Sequence, residues 1–533
     1  MSETLLTRVE RLRESPRVAL VENTTSLTYA ALDARSRQIA SRLLDGRDTL
    51  REARVAVLVP PGFDYVAVLL GIWRAGGIAV PLATTHPPAE RGFVIEDSDA
   101  SIVIASPELG GASERAESLA TPASQRFVVQ HGTLIPTTSG PGQAPERRPE
   151  PPAASGRRAM ILYTSGTTGK PKGVVSTHEM IAAQISTLVV AWEWRTEDRT
   201  LLVLPLHHVH GIINVLGCAL WCGATCEIFP RFDAEATWDR LASGDITIFT
   251  AVPTIYYRLA ASWDLATADI RRRRSEGAGA VRLMMSGSAA LPVGVLERWR
   301  DISGHVLLER YGMTEIGMAI ANPLRGVRQP GRIGQPLPGV DVRLVGEDGH
   351  PVPQGSPGEL EVRGPTVFAE YWRRPDATRA AFRDGWFRTG DIAVVEDGVY
   401  RLLGRTSIDI IKTGGYKISA LEVEDVLREH PAITECAVVG IDDEEWGQRV
   451  CAAVELKDDA TLTAADLEPW ARERLAPYKV PRTLMAVPAL PRNAMGKVVK
   501  PDVAALFRKS HEGQRPEAEG QGQSETADGK SGA

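Results

Sequence analysis

Short apolar runs alternate with helical segments along the first third of the chain. Runs rich in β-branched residues at 54–60 (RVAVLVP), 77–81 (GIAVP) and 100–105 (ASIVIA) predict buried strands, and residues 63–75 predict a helix between the first two. Strands separated by helices are typical of a parallel sheet with helices on its faces. The pattern therefore predicts an α/β fold for this region.

A second half of the same kind follows, and the pattern then changes. Apolar runs at 201–205, 247–253 and 282–288 predict a second sheet covered by helices. From 339 to 363, apolar and polar positions alternate around DG and PG turns, which predicts a small β subdomain. We therefore expect an N-terminal domain over 1–404, with two layered sheet-and-helix subdomains and a β subdomain.

The residues after Gly404 predict a separate, smaller α+β domain, which we place at 405–510. Its expected elements are a helix at 420–429, strands at 435–440 and 450–455, and a helix at 463–475. Two polar segments are expected to lie outside the cores. Residues 136–158, rich in Pro, Gly and Ser, predict a solvated loop, and residues 511–533 predict a disordered tail.

Composition and charge narrow the class of protein. The 533 residues are 43% apolar and 24% charged, and the formal net charge is −6, so no basic field favours a nucleic-acid partner. No apolar run reaches the ~18 residues of a membrane span, and the N-terminus has no apolar signal-peptide core. Five cysteines fit a reducing compartment, so we expect a cytoplasmic protein. The sequence carries no signal for an oligomeric state.

Histidines and cysteines cluster in the middle of the chain. Cys218, Cys222 and Cys226 are spaced four apart and follow histidines at 207, 208 and 210. These residue types can bind a metal ion. The segment INVLGCALWCGATCEIF is almost wholly apolar, however, and free cysteine is a common buried residue. Buried packing is therefore the favoured interpretation of the cysteines.

The run YTSGTTGKPKG at 163–173 predicts a phosphate site. Its glycines let backbone N–H groups turn toward an anion, its hydroxyls add donors, and its lysines add charge. It does not match the Walker pattern G-x-x-x-x-G-K-[ST], because Gly166 and Gly169 are only three residues apart and Pro171 follows Lys170. A kinase with a P-loop is therefore not favoured.

Further runs extend the signal along the chain: YGMTE at 311–315, RTGD at 388–391, GR at 404–405, GGYK at 414–417 and PRNAMGK at 491–497. In order and spacing they resemble the adenylate-forming superfamily of acyl-CoA synthetases, peptide-synthetase adenylation domains and luciferases. The resemblance extends from about residue 27 to about residue 507. It implies that a carboxylate attacks the α-phosphorus of ATP to give an acyl-adenylate and pyrophosphate, and that a thiol, usually coenzyme A, then releases AMP.

The resemblance also implies roles for individual residues. Pyrophosphate would be held by the loop residues Thr164, Ser165, Gly166, Thr167, Thr168, Gly169, Lys170 and Lys172. Tyr311 would stack on adenine, Thr314 would donate to the α-phosphate, and Glu315 would hold Mg²⁺, which prefers oxygen ligands. Asp391 would bind the ribose hydroxyls, and Arg405 would reach the ribose or the phosphate.

The small domain would supply the remaining catalytic groups. The resemblance implies that Lys497 bridges the attacking carboxylate and the α-phosphate, where a cation offsets developing negative charge. It implies that Gly414 and Gly415 admit the pantetheine arm, and that this domain is mobile. The stretch GRTSIDIIKTGGYK is one residue longer than the common pattern. Asp409 matches the usual acid, but the sequence does not assign the hinge residue.

The acid that is activated would be selected by LPLHHVHG at 204–211 and VRLMMSGSAAL at 281–291. Arg282 falls in a predicted buried strand, and a buried charge is costly unless paired. Its partner is either an internal acid, such as Glu309, or the substrate. Four runs, HVHG, R-L-x-x-S-G-S-A, ERYGMTE and GRTSIDIIKTGGYKISALEVE, most resemble malonyl-CoA synthetases. This resemblance implies that Arg282 and His210 grip the second carboxylate of malonate and that His208 gates the pocket.

We therefore predict an ATP-dependent ligase that joins malonate to coenzyme A, in which Arg282→Ala loses malonate use. Methylmalonate is a further expected substrate, since one methyl discriminates by only about 1–3 kcal/mol. The alternatives are a ligase for another small or medium-chain acid, an enzyme that loads a carrier protein, and a binding protein without activity. The product would serve fatty-acid or polyketide building, or malonate disposal.

Overall fold

A computed structural model of the chain describes residues 3–110, 125–136, 156–164, 171–406, 408–413, 416–443, 445–493 and 496–512. The chain divides into two compact units, Met1–Ser407 and Ile408–Ala533. The boundary predicted from the sequence, after residue 404, lies three residues before the boundary in the structure. Most of the predicted loop at 136–158 and of the predicted tail at 511–533 falls outside the described residues.

The first unit contains twenty-two described strands. In chain order they are β1 (Val18–Glu22), β2 (Thr25–Thr28), β3 (Arg54–Leu58), β4 (Ile78–Pro81), β5 (Ile102–Ala105), β6 (Gln125–Gln130), β7 (Thr133–Pro136), β8 (Arg158–Thr164), β9 (Lys172–Thr177), β10 (Arg199–Leu202), β11 (Thr225–Ile228), β12 (Ile248–Ala251), β13 (Leu283–Ser286), β14 (Leu308–Met313), β15 (Gly317–Ala321), β16 (Gln335–Pro336), β17 (Asp341–Val345), β18 (Gly358–Arg363), β19 (Glu370–Tyr371), β20 (Phe382–Arg383), β21 (Trp386–Glu396) and β22 (Val399–Arg405).

Helices cover the sheets of this unit. The described α-helices are α1 (Leu5–Arg11), α2 (Tyr29–Leu44), α3 (Phe63–Arg74), α4 (Pro88–Asp97), α5 (Pro107–Gly110), α6 (His178–Ala191), α7 (Cys218–Cys222), α8 (Ala234–Ala242), α9 (Pro253–Leu265), α10 (Ala268–Ala280), α11 (Val293–Ser303) and α12 (Pro375–Ala380). A π-helix, His210–Gly217, precedes α7. Several helices start where the sequence supplies a cap. The Thr177 side chain, for example, accepts a hydrogen bond from the backbone N–H of Met180 at the start of α6.

Two large sheets form the body of the first unit. The first has eight strands in the order β19-β9-β8-β4-β3-β5-β6-β7, and its centre, from β8 to β6, is parallel. The second has nine strands in the order β16-β15-β14-β13-β12-β10-β11-β1-β2, and it is parallel from β14 to β1. The apolar runs predicted as strands form β3, β4, β5, β10, β12 and β13. The α/β class with two sheet-and-helix subdomains is confirmed.

A third sheet corresponds to the predicted β subdomain. It is antiparallel, with the order β17-β18-β21-β20, and β22 pairs with β21. Strand β21 begins near the RTGD motif and β22 ends at Arg405, so two of the predicted nucleotide-binding residues share this sheet.

The second unit is the predicted α+β domain. Its strands are β23 (Ile410–Thr413), β24 (Tyr416–Ser419), β25 (Ile433–Asp443), β26 (Gly447–Leu456) and β27 (Thr483–Ala486), and its helices are α13 (Ala420–Arg428), α14 (Ala464–Arg472) and α15 (Lys500–Glu512). A 3₁₀ turn, Pro477–Lys479, lies between α14 and β27. Helix α15 extends two residues into the segment predicted as a tail. The mobility of the second unit relative to the first remains a prediction.

The parallel strands of the second sheet set the place of the site. In open α/β sheets, ligands bind beyond the carboxyl ends of the strands. The SGS turn at 286–288 follows β13, and the YGMTE run ends β14, so both predicted motifs lie at that edge. Within the described residues, no helix has the length and apolar character needed to cross a membrane.

Candidate active site

The predicted phosphate loop joins two paired strands. Strands β8 and β9 are antiparallel, and Thr164 lies opposite Lys172 in their register. The residues between them that were assigned to pyrophosphate, Ser165, Gly166, Thr167, Thr168, Gly169 and Lys170, lie outside the described residues. Thr164 and Lys172 therefore mark the two ends of the predicted site. The Nζ of Lys172 lies 5.0 Å from the ring centre of Tyr371.

The YGMTE run forms a tight β-hairpin between β14 and β15. Met313 pairs with Gly317, which leaves Thr314, Glu315 and Ile316 in the turn. A Cβ on Gly312 would lie 2.1 Å from the carbonyl oxygen of Gly317, and Gly317 itself has φ +65°, so the turn requires both glycines. The hairpin thus presents Thr314 and Glu315 together at its tip.

Glu315 is a buried carboxylate with neutral partners. Its exposed fraction is 5%, and its Oε1 accepts a hydrogen bond of 3.0 Å from the Tyr371 hydroxyl. No lysine or arginine among the described residues forms an ion pair with it. Burial raises the pKa of Glu315, while its own backbone N–H, the Tyr371 hydroxyl and the charges of Arg405 and Lys172 act in the opposite direction. A buried carboxylate that is in no direct ion pair within the described residues fits the predicted Mg²⁺ ligand, since Mg²⁺ binds through one or two carboxylates together with substrate phosphates.

Tyr311, Asp391 and Arg405, which belong to three separate motifs, come together in the structure. The Tyr311 hydroxyl donates to Asp391 Oδ2 at 2.5 Å, and Arg405 Nε donates to Asp391 Oδ1 at 3.1 Å. The backbone N–H of Asp391 also donates to the Thr389 hydroxyl at 3.0 Å. Burial, followed by the Asp391 charge, raises the pKa of Tyr311 well above its usual range, so this phenol stays protonated. The Asp391 carboxylate is therefore held in one orientation, as a ribose ligand requires.

His210 lies among residues from three other segments. Its Nδ1 is 3.0 Å from the hydroxyl of Ser288, in the SGS turn, and its Nε2 is 3.0 Å from the hydroxyl of Thr250, at the end of β12. The Nη2 of Arg310, in β14, also contacts Nε2. Because a guanidinium can only donate, Nε2 accepts, and the imidazole is neutral with its proton on Nδ1. The structure thus joins the two segments predicted to select the acid.

Arg310 is the residue that the sequence analysis missed. It is 2% exposed, and its Nη2 also donates to the Thr250 hydroxyl at 3.0 Å. Within the described residues, its Nη1 has only the Met318 sulfur as an acceptor, at 3.3 Å, and its Nε has none. Burial lowers the pKa of Arg310 to about 10, so the group stays charged at neutral pH. No carboxylate in the described part of the chain forms an ion pair with it.

The position of Arg310 inside a recognised motif explains why it was missed. It precedes Tyr311 directly, and within that run roles were assigned only to Tyr311, Thr314 and Glu315. The local sequence gives little sign of its burial, since the strand reads LERYGM and Glu309 stands beside Arg310. The absence of a side chain at Gly287 leaves room for the Arg310 guanidinium, because a Cβ at Gly287 would lie 2.8 Å from Arg310 Nη1.

Arg282 does not lie beside His210 in the hydrogen-bond network, which corrects its predicted role. It precedes β13, at the amino edge of the sheet, and its Nη2 pairs with Asp198 Oδ2 at 2.7 Å. Its Nη1 donates to the Trp192 carbonyl at 3.2 Å. The internal salt bridge considered as the alternative is thus present, with Asp198 instead of Glu309 as the acid. The charge of Arg282 is already satisfied within the protein.

His208 lies beside His207, and their ring centres are 4.5 Å apart. The His207 ring is in turn 5.8 Å from that of His86. Burial, with a smaller contribution from His86, lowers the pKa of His207 to about 4, so it is neutral at physiological pH. The gating role assigned to His208 remains a prediction. Cys218 and Cys226 are buried, as packing residues would be, and no cluster of three potential metal ligands occurs among the described residues.

Lys497 lies in a tight turn of the second unit. The side chain of Asn493 accepts a hydrogen bond from the Lys497 N–H at 3.0 Å, and the Asn493 N–H donates to the Lys497 carbonyl at 2.9 Å. Gly496 completes the turn with φ +75°. Gly414 and Gly415, the predicted pantetheine residues, lie outside the described residues, so their role remains a prediction.

Three residues after Lys497, the buried Lys500 pairs with two carboxylates near the start of this unit. Lys500 Nζ lies 2.5 Å from Asp409 Oδ1 and 2.7 Å from Glu424 Oε1. Burial lowers the pKa of Lys500 and the two carboxylates raise it, with a net upward shift. Asp409, the acid matched to the usual hinge pattern, is thus anchored within the second unit.

Comparison with protein families agrees with these observations. Residues 9–372 match the family model described as AMP-binding enzyme, and residues 422–497 match the AMP-binding enzyme C-terminal domain. The chain is 46% identical over 539 residues to the mitochondrial malonate–CoA ligase of Bos taurus, covering 94% of this chain and 90% of that protein.

Solved structures are also similar. ATP-bound MatB from Rhodopseudomonas palustris has a TM-score of 0.85 and 32% identity, covering 96% of this chain and 100% of that one. The o-succinylbenzoate CoA synthetase of Bacillus subtilis, in complex with its acyl-adenylate intermediate, has a TM-score of 0.81 and 28% identity, with 94% and 98% covered. The resemblance to adenylate-forming enzymes is thereby confirmed. The chain belongs to the AMP-binding enzyme family.

Proposed function

We propose that this protein is an AMP-forming acid–thiol ligase that joins malonate to coenzyme A. One carboxylate of malonate attacks the α-phosphorus of ATP, and pyrophosphate leaves. The thiol of coenzyme A then attacks the acyl carbon, and AMP leaves with the carboxylate oxygen. Family membership supports the reaction type, and the malonate–CoA ligase relative supports the substrate.

The observation that carries the choice of malonate is the state of Arg310. A fully buried guanidinium costs several kcal/mol unless an anion pairs with it. Arg310 has two N–H-bearing nitrogens, Nε and Nη1, without an oxygen acceptor, and it has no ion-pair partner among the described residues. A substrate with a second carboxylate supplies the missing charge and acceptors. An ordinary monocarboxylate leaves the guanidinium uncompensated, which disfavours it.

His210 would position this second carboxylate together with Arg310. Its ring is fixed by Ser288 and Thr250, so it holds the guanidinium from one side and limits the orientations that Arg310 can adopt. An arginine in a dry site pairs with a carboxylate through both charge and geometry. We therefore assign the distal carboxylate to Arg310 and His210, in place of Arg282 and His210.

The nucleotide would be bound by the groups already described. Asp391, held by Tyr311 and Arg405, is oriented for the ribose hydroxyls. Glu315 would hold Mg²⁺, which when bound neutralises charge on the phosphates. Thr164 and Lys172 fix the two ends of the loop that would hold the departing pyrophosphate. Lys497 would compensate the charge that develops as the carboxylate attacks.

The proposal is tested with a panel of acids at equal concentration. AMP and acyl-CoA formation would be measured with malonate, methylmalonate, succinate, acetate and octanoate. We expect malonate to give the highest kcat/KM, with methylmalonate within about a hundredfold, since one methyl changes binding by about 1–3 kcal/mol. Equal or higher kcat/KM with octanoate would contradict the assignment of a dicarboxylate.

The thiol acceptor and the compartment require separate measurements. Free coenzyme A is expected to accept the acyl group, and transfer only to a carrier protein would contradict the ligase assignment. A cytoplasmic location and supply of malonyl-CoA to fatty-acid or polyketide synthesis remain predictions.

A further inference from the structure

A short segment connects the phosphate-loop strand with the YGMTE turn. Strand β19 pairs with β9, with Tyr371 opposite Val174, and the N–H of Trp372 donates to the Gly173 carbonyl at 2.7 Å. Strand β9 is the strand that leaves the predicted phosphate loop. The backbone around Tyr371 is therefore fixed to that loop's C-terminal end.

The same segment also holds Glu315. The N–H of Phe368 donates to the Glu315 carbonyl at 2.7 Å, and the Tyr371 hydroxyl donates to Glu315 Oε1 at 3.0 Å. Both the backbone and the side chain of Glu315 are thus held by residues within four positions of each other. Tyr371 is 8% exposed, so water competes little for this hydrogen bond.

The ring of Tyr371 has a second contact, with the cation at the end of the loop. Lys172 Nζ lies 5.0 Å from the ring centre, within the range of a cation–π interaction. The Phe368 ring also packs edge-on against the Tyr371 ring, with the ring centres 4.7 Å apart. One side chain therefore contacts the predicted metal ligand through its hydroxyl and the predicted phosphate-binding lysine through its ring.

We propose that Tyr371 is a positioning residue that couples the phosphate loop to the metal-binding carboxylate. Its hydroxyl aims the Glu315 carboxylate, and its ring holds Lys172, so that the cation site and the phosphate site keep a fixed separation. This inference rests on the proposed function, because it takes Glu315 as the Mg²⁺ ligand and Lys172 as a phosphate ligand.

The test measures ATP binding by calorimetry in the absence of any acid, once with Mg²⁺ and once with EDTA. Tyr371→Phe removes the hydroxyl and keeps the ring. Loss of a hydrogen bond to a metal ligand lowers metal affinity by about tenfold to a hundredfold. We therefore expect the Kd of ATP with Mg²⁺ to rise by about tenfold or more, and the Kd in EDTA to stay within twofold of the wild type.

Two further variants separate positioning from a general structural effect. Tyr29→Phe is the matched control, because Tyr29 is a buried phenol whose hydroxyl donates to the Ala224 carbonyl at 2.7 Å, and it should change neither Kd. Tyr371→Leu removes the ring as well. We expect it to raise the Kd in EDTA by about two- to fivefold, because Lys172 loses its cation–π partner.

The outcomes separate this inference from the proposed function. If Tyr371→Phe leaves the Kd with Mg²⁺ within threefold of the wild type, or raises both Kd values equally, the coupling role of the hydroxyl is wrong. If Tyr371→Leu equals Tyr371→Phe in EDTA, the ring has no role. If the wild type itself binds no ATP with Mg²⁺, the proposed function is wrong and this inference with it.

Discussion

Replacing Arg310 with methionine tests the choice of substrate most directly. Methionine keeps an unbranched side chain of similar length and removes the guanidinium. Among the described residues, Arg310 contacts neutral groups of His210, Thr250 and Met318, and its guanidinium lies 5.6 Å from the ring centre of Trp192. Its replacement should therefore leave the free energy of unfolding unchanged or raise it, since a buried charge without a partner is removed.

The effect on malonate turnover has the opposite sign. Truncating one member of a buried, hydrogen-bonded charge pair costs about 2–5 kcal/mol, which corresponds to a fall in kcat/KM of about thirtyfold to about five-thousandfold. The kcat/KM for acetate, which has no second carboxylate, should fall far less. The assay is acyl-CoA formation with both acids, together with thermal unfolding of the protein without ligands.

Arg282→Met provides the matched control, because it makes the same change at an arginine by the opposite edge of the same sheet. Asp198 is 4% exposed and would lose its ion-pair partner, although it keeps hydrogen bonds from the Arg195 N–H and the Thr247 hydroxyl. We expect this variant to lose about 1–3 kcal/mol of stability, without selective loss of malonate. Selective malonate loss in Arg282→Met, or malonate kcat/KM within threefold of the wild type in Arg310→Met, would refute the assignment.

Two further predictions concern stability. Burial, with smaller effects of neighbouring charges, lowers the pKa of His178 from 6.5 to about 4. The unfolded chain therefore binds the proton first, and the stability contributed by neutral His178 is lost as pH falls from about 6.5 to about 4. His178→Gln should reduce this loss, measured by urea unfolding at both pH values, by up to about 3 kcal/mol, whereas the exposed His350→Gln should not. Lys500→Met removes the cation that pairs with Asp409 and Glu424 and should destabilise the second unit by about 1–3 kcal/mol, seen as faster proteolysis there, whereas Lys479→Met, which removes a more exposed pair, should cost less than about 1 kcal/mol. Equal effects of each variant and its control would contradict these assignments.

Local pattern was sufficient for much of the fold. The buried strands β3, β4, β5, β10, β12 and β13 were predictable because parallel strands covered on both faces are short and apolar throughout. The helix α3 and four elements of the second unit, α13, β25, β26 and α14, followed from periodicity, with differences of a few residues at their ends, whereas β23, β24, β27 and α15 were not predicted. The sequence did not reveal that β1 and β2 join the far edge of the second sheet, because β1 pairs with β11 about two hundred residues later.

The residues of the candidate site also fall into two groups, those placed by local sequence and those placed by packing between sheets. Motif residues close in sequence, such as Tyr311, Thr314 and Glu315, were placed together by a hairpin whose glycines are visible in the sequence. Asp391 joins Tyr311 only through the packing of two sheets, but its motif had already suggested a shared ligand. These residues were identified because the chemistry of each motif is local.

The sequence by itself determined the family, the reaction type and several of the strands that border the site. Only the tertiary structure decided which arginine is available to a substrate. Arg282 directly precedes one strand of the second sheet and Arg310 lies within the next, so their positions look alike in the sequence. Asp198 lies 84 residues from Arg282 and His210 lies 100 residues from Arg310, and the strand order of the sheet brings each pair together. The acid at the amino edge satisfies Arg282, and the neutral histidine at the carboxyl edge leaves the charge of Arg310 to a ligand.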